Sequence, residues 1–273
     1  MCSLPTDEGT FSVVGDANFF FYLLEALINA VENDSPGLSR DEMFDRFIER
    51  LHRVLAGVAT KATGGKLLIS SSVYQEELCL TNRDSSLRRK LGCIDTMCAS
   101  QREKYEVLDQ CLLDHLTVVD VPDEDVQFLM QYFNEPLRPK DRDASLLMLA
   151  LRQCGGVQTF LLTDDTGLTK ACDHVVRRGK IVFACGTFET GQLNHVRYMD
   201  FLKWAHDACY VTTEEFRSCF SLRLAIEHEW LEKVGPSERR HKVRQFDRAA
   251  QAFIRSAIMK GQSNNPSPPS QNR

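Results

Sequence analysis

Apolar positions along the chain follow two alternating rhythms, short unbroken runs and longer repeats at three- and four-residue steps, with turn signals between them. FSVVG at 11–15 reads as a short buried strand and 17–32 as an apolar-rich helix, although FFFYLL at 19–24 taken alone fits either type. Asp34-Ser-Pro-Gly breaks the pattern. Ser39 then caps a helix to about residue 59, in which Met43, Phe44, Phe47, Ile48, Leu51 and Leu55 share a face. Thr63-Gly-Gly turns the chain into a second strand, KLLIS at 66–70, after which Ser71 or Ser72 can cap a helix through VYQEELCL. Residues 81–100 are polar and fit no element, whereas 101–114 reads as a helix with Tyr105, Leu108 and Leu112 on one side.

LTVVDV at 116–121 is the third expected strand, Pro122 starts a helix to about 133, and 142–153 is a further helix stopped by Gly155-Gly156. VQTFLLT at 157–163 gives the fourth strand, 166–177 a short helix, and KIVFAC at 180–185 the fifth strand. Beyond residue 190 the strand text ends: 195–207, 212–231 and 237–260 read as helices, and 261–273 is a polar tail expected to be disordered. Strands that alternate with helices predict an α/β fold, a mostly parallel sheet covered on both faces. Ligands of such sheets bind at the carboxyl ends of the strands.

Composition narrows the class. The 273 residues carry a formal net charge of −5, with 43% hydrophobic and 26% charged positions, which excludes collagen-like, low-complexity and wholly disordered chains. The run FFFYLL meets Glu25 after six residues, far short of the roughly 20 needed to span a bilayer. MCSLPTDEGT shows neither a secretory signal nor an Arg-rich transit pattern, so the expected location is cytoplasmic. Ten cysteines (Cys2, Cys79, Cys93, Cys98, Cys111, Cys154, Cys172, Cys185, Cys209 and Cys219) form no CxxC pair and read mainly as reduced structural thiols.

The informative residues are acids at strand ends. Asp16 follows the first strand directly, Glu76 and Glu77 stand about a turn beyond the second, and Asp141 and Asp143 open the helix that precedes the fourth. Asp164 and Asp165 close the fourth strand. Parallel strands share one carboxyl edge, so these acids can converge despite their separation in sequence. Clustered carboxylates repel one another unless their pKa values rise or a cation joins them, and Mg²⁺ or Mn²⁺ is a hard ion suited to oxygen ligands. Singly, each acid reads better as a helix N-terminal residue answering the macrodipole, or as a cap, and only their joint placement favours a cluster. Asp16 fits that reading less well, because it stands between a buried strand and a very apolar helix.

On these residues the chain resembles the PIN-like (PilT N-terminus-like) nuclease family. VVGDANFFF is similar to its first motif and SSSVYQEELCL to its second. DRDASLLMLALRQCGGVQTFLLTDD is similar to the third and fourth joined, with a strand closing on Thr-x-Asp. The resemblance implies a three-layer α/β/α domain over about 11–190, with a central, mostly parallel five-stranded sheet and an acidic pocket that binds Mg²⁺ or Mn²⁺ and cleaves RNA. It implies Asp16, Glu77, Asp143 and Asp165 as catalytic metal ligands, with Glu76, Asp141 and Asp164 as alternates. Ala17 stands where the family usually has Thr or Ser, and the long spacings to Glu77 and Asp143 imply helical insertions at about 34–62 and 81–114. A short toxin-type member is therefore a poor description.

Other signals carry less. Leu67 follows Gly64-Gly65-Lys66 where a phosphate loop needs Ser or Thr. HEWLE at 228–232 lacks the second His of a zinc-protease helix, and Asp16-Ala17-Asn18 lacks the second Asp of a haloacid-dehalogenase site. Charge is uneven: residues 233–260 hold eight basic residues against two acids. In that stretch Arg239, Arg240, Lys242 and Arg244 are candidates for holding a nucleic-acid backbone, with Arg138, Lys140 and Arg142 beside the acids, although a solvated helix face or an oligomer contact reads as well. The expected function is a metal-dependent endoribonuclease acting on RNA, with a helical extension over 191–260. The alternatives are a scaffold or RNA-binding module whose pocket is weak or inactive, meeting a protein partner through its C-terminal helices, and another metal-dependent phosphohydrolase on a similar sheet.

Overall fold

The computed structural model describes residues 11–34, 37–62, 65–82, 84–90, 101–134, 137–183 and 186–217, all within one compact unit. Strand β1 (Phe11–Gly15) leads into α1 (Ala17–Asp34) and α2 (Arg40–Ala59), and β2 (Leu67–Ser70) into α3 (Ser71–Val73), which runs on as a π-helical turn, Tyr74–Leu78. Helices α4 (Ser86–Lys90) and α5 (Gln101–His115) precede β3 (Leu116–Val119); α6 (Asp123–Tyr132) and α7 (Asp141–Gln153) precede β4 (Gln158–Leu162). After α8 (Thr166–Arg178) come β5 (Lys180–Phe183), β6 (Gly186–Glu189), β7 (Leu193–Val196) and α9 (Tyr198–Asp207). Among the described residues, no helix is long and apolar enough to cross a membrane.

Five strands form the central sheet in the order β3-β2-β1-β4-β7, and every pairing is parallel. The chain builds outward from β1 through β2 to β3, then crosses back to β4 and on to β7. A sheet wound in both directions with right-handed crossovers carries helices on both faces, an arrangement compatible with three α/β/α layers. Helix α7 lies across β1, β2 and β4, with α6 and α8 beside it. Helix α1 is apolar almost all round and correspondingly buried, as a core helix must be. Its Phe19 meets Phe201 of α9 edge to face at 4.5 Å between centroids.

Ser39 caps α2 in a complete capping box with Glu42, which fixes that start where the sequence places it. Two elements differ from expectation. KIVFAC is not the fifth strand of the sheet: Lys180–Phe183 pairs antiparallel with Gly186–Glu189 as a separate hairpin, and Val182 stands 69% exposed. Gly179, left-handed at φ 69°, ends α8, and its carbonyl accepts from Thr190 N. That bond closes the hairpin and releases Leu193–Val196 to the outer position beside β4, so strand text continues past residue 190 and the sheet extends beyond that boundary. The helix expected over 195–207 accordingly starts at Tyr198.

The second difference is the segment after β2, which makes one α-turn and then a π-turn instead of a helix through VYQEELCL. Asp109 of α5 explains where it stops, since its carboxylate accepts from both the Tyr74 hydroxyl at 2.8 Å and Leu80 N at 3.2 Å. With Leu80 N–H taken, the helix cannot continue, and Cys79 turns extended.

Candidate acidic site

The order of the sheet reverses between β1 and β4, and their carboxyl ends lie side by side, in register from Phe11 with Gln158 to Gly15 with Leu162. A crevice outside the strand ends at such a switch point is where open α/β sheets bind ligands. Asp16 is the first residue past β1: its N–H donates to Leu162 O at 2.9 Å, and its own carbonyl accepts from Phe19 N at the start of α1. The side chain is buried, and Thr163 Oγ1 donates to its Oδ2 at 2.7 Å. Burial raises the Asp16 pKa; hydrogen bonds from Thr163 and from the Asn18 and Ala17 backbone oppose the rise, and the charge of Asp165 adds to it.

Asp165 caps α8, its Oδ1 accepting from Leu168 N at 2.8 Å, while its own N–H donates to Thr163 Oγ1 at 3.1 Å. Asp143 sits in the first turn of α7, where burial, Asp165 and then Asp16 push its carboxyl up to about 6, against the opposing charges of Lys140 and Arg142. The three acids therefore feel one another across the β1–β4 edge. Asp164 serves differently, its Oδ1 accepting from Tyr198 N at 3.1 Å and so holding the start of α9. Asp141 is exposed in the same turn as Asp143.

Glu77 lies on the π-turn and pairs with Arg142 of α7 through Nη1, while Arg142 Nε stands 3.6 Å from exposed Glu76. Of the four expected acids, Asp16, Asp143 and Asp165 are thus mutually coupled, and Glu77 is engaged by a neighbouring guanidinium. Three hydroxyls below them escape sequence reasoning. Ser145 Oγ spends its one hydrogen on Arg142 O at 2.7 Å, so Ser70, at 2.8 Å, and Ser72, at 3.0 Å, are the donors to it. This clamp ties the start of α7 to the end of β2; the signals for it are the Ser-rich end of KLLISSS and a lone Ser in the apolar run ASLLMLAL.

Arg138 and Lys140 are exposed near α7, with Lys140 close enough to act on Asp143. Arg239, Arg240, Lys242 and Arg244 lie outside the described residues. A cleft of about 320 Å³ that the sequence does not signal opens beside β7 and α8. It is lined in part by His195, whose Nε2 lies 3.1 Å from Asp173 Oδ1, with Arg197 and Asp200 nearby.

Among the described residues, no three His, Cys, Asp or Glu side chains are placed to ligate one metal ion together. The donor chemistry nonetheless fits a hard divalent cation. Asp16, Asp143 and Asp165 offer only carboxylate oxygens, and burial first, with the charge of Asp165 adding to it, raises the pKa values of Asp16 and Asp143, a cost that a cation would relieve. Comparison of the chain with protein-family models, curated proteins and solved structures returns no match.

Proposed function

We propose that the chain is a PIN-like, metal-dependent endoribonuclease that hydrolyses RNA phosphodiester bonds and leaves 3′-hydroxyl and 5′-phosphate ends. The observation that carries this reading is the mutual coupling of Asp16, Asp143 and Asp165 at the point where strand order reverses. These three would hold Mg²⁺ or Mn²⁺ directly or through water, with Glu77 at the flank. When bound, the cation would supply an activated water and offset charge on the phosphorane and the leaving oxygen. The chain's own groups do the positioning. Thr163 holds Asp16 and Asp165 in register, the serine clamp sets the start of α7, and exposed Arg138 and Lys140 offer charge to the RNA backbone.

A cytoplasmic location accords with the free, buried thiols of Cys79, Cys111, Cys154 and Cys172. One observation favours a second reading, a scaffold or RNA-binding module with a weak pocket: Arg142 already occupies Glu77. Incubating purified protein with mixed RNA and Mn²⁺, beside an Asp16→Asn plus Asp143→Asn variant, separates the two. Metal-dependent cleavage lost in the variant supports the nuclease. Cleavage retained by the variant overturns the site, and RNA binding without cleavage favours the scaffold.

A further inference from the structure

We propose that the open side of β7 is a docking groove for an extended, lysine- or arginine-bearing segment of a partner protein, which joins the five-stranded sheet as a further strand. The inference stands apart from the nuclease reading. Register fixes which backbone groups are on offer. Thr159 N donates to Gln192 O and Thr163 N to Val196 O, so the even-numbered residues of β7 turn their backbone toward β4 and the odd-numbered ones turn theirs away. Arg197 continues the strand in extended geometry, at φ −80° and ψ 156°. Of the outward groups, Leu193 N–H is taken by Thr190 O, and Arg197 O by Phe201 N. Leu193 O, His195 N–H, His195 O and Arg197 N–H have no hydrogen-bond partner among the described residues. Acceptors and donors thus alternate along the strand, which is the pattern an added strand pairs with.

The cleft of about 320 Å³ beside β7 and α8 gives such a strand a seat for its side chains. Leu193 and His195 share a face of β7, and Asp173 and Val176 share a face of α8; the contact of Asp173 with His195 Nε2 at 3.1 Å brings the two faces together. A lysine or arginine on the added strand fits this wall, its methylene stem on Val176 and Leu193 and its charge beside half-exposed Asp173. Asp200 and Arg197 also line the cleft and offset one another, so with neutral histidine the lining keeps one negative charge in excess, which favours a basic occupant over an acidic one. His195 Nδ1 is buried with no hydrogen-bond partner among the described residues, a cost that a donor from the occupant would remove. Edge strands commonly carry lysine or proline to repel added strands, and LNHV has neither.

The test is amide NMR on the full chain, with an acetylated, amidated hexapeptide of alternating threonine and lysine as the probe. Before the peptide is added, the His195 and Arg197 amides should exchange with deuterium much faster than those of Asn194 and Val196. With the peptide, the same two amides should shift and become protected. Arg197→Pro removes only an outward N–H at a backbone angle that suits proline, and should weaken binding about fivefold, the value of one hydrogen bond. Arg197→Ala keeps that N–H and should bind at least as tightly as the wild type. Asp173→Asn should weaken binding about tenfold, as loss of a charge-assisted contact does. Methylating the peptide nitrogens, or replacing its lysines by glutamates, should abolish binding.

Slow exchange at His195 and Arg197 in the free chain means that another part of the chain fills the groove, and slow exchange lost on dilution means that a second copy does; either overturns the partner segment. Equal binding by Arg197→Pro and Arg197→Ala, or by the methylated peptide, shows charge attraction without strand pairing and overturns it as well. Asp143→Asn leaves the groove intact and should bind the peptide as the wild type does; loss of binding there places the lysines at the acidic site instead. A fast-exchanging edge that takes no lysine peptide overturns the basic occupant.

Discussion

Thr163 and Asp16 stand 147 positions apart, and the hydroxyl of the first donates to the carboxylate of the second across the β4–β1 edge. The same oxygen accepts Asp165 N–H, so one side chain registers two of the three coupled acids. Thr163→Val keeps the shape and removes both bonds. It should cost about 1–2 kcal/mol in urea unfolding, the value of a buried hydrogen bond with its partner left unsatisfied. The Asp16 carboxyl would move further upward, because its strongest opposing contact is gone. Mn²⁺ binding should therefore weaken at pH 6 more than at pH 8; an equal loss at both would separate Thr163 from the ionisation of Asp16.

Asp143 sets a pH dependence of stability in the metal-free chain. Its folded pKa is about 6 against an ordinary 3.8, so the folded state holds this proton more tightly than the unfolded one. The resulting stabilisation is complete below about pH 4, is lost as pH rises through 6, and stays lost above it. Asn at this position has no charge to repel. Asp143→Asn should be more stable than the wild type at pH 7.5 by about 1–2 kcal/mol, after allowance for solvent screening of a partly exposed group, and the difference should fade by pH 4. Comparing the two proteins isolates this carboxyl from His115, whose lowered pKa acts in the opposite direction. Thermal melts at several pH values in chelator measure it.

The parts of the site carried by local text are legible in the sequence. FSVVG followed by Asp16, and FLLT followed by Asp164 and Asp165, are buried runs ending in acids, and the start of α7 is marked by Asp141 and Asp143 before an apolar repeat. Periodicity fails where a choice is made in three dimensions. KIVF is the more apolar strand, yet LNHV takes the sheet edge because Gly179 and Thr190 close a hairpin first. The π-turn depends on Asp109, which belongs to a distant helix. The pairing of Arg142 with Glu77 depends on how α7 crosses β2, which no spacing records.

Glu215 anchors the last described segment to α2. It is 1% exposed, pairs with Arg53 Nη2 and, at 3.3 Å, with Arg50 Nε, and accepts from Thr212 N at 2.8 Å. Removing it leaves two guanidinium groups without their buried acid. Glu215→Ala should cost about 1–3 kcal/mol in chemical denaturation, the value of lost charge-assisted hydrogen bonds, because Arg50 keeps Asp34 at 3.1 Å. Arg53→Ala should cost less, since Arg53 is 42% exposed and Arg50 still faces Glu215. The reverse order would show that the surface arginine, and not the buried acid, carries the contact.

Two glycines separate loss of stability from displacement of the site. A Cβ on Gly15 would meet the Phe20 ring at 2.6 and 2.9 Å, and one on Gly57 the Tyr210 ring at 2.4 Å. Both rings must move, and each alanine should cost about 1–3 kcal/mol through overpacking. Their positions differ. Gly15 is the last residue of β1 and directly precedes Asp16, while Phe20 lies in the first turns of the helix that Asp16 starts. Shifting that ring moves the strand–helix junction on which the Asp16 carboxylate is mounted. Gly57 lies near the end of α2, packed on the 210–217 segment and away from the β1–β4 edge. Gly15→Ala should therefore weaken Mn²⁺ binding at least severalfold under conditions where the variant is fully folded, whereas Gly57→Ala, similarly destabilised, should bind Mn²⁺ as the wild type does. Titrations at 10 °C, with circular dichroism confirming the folded state of each variant, make the comparison. Parallel losses in both would mean that Mn²⁺ affinity follows general stability, and that the β1–α1 junction has no special hold on the acids.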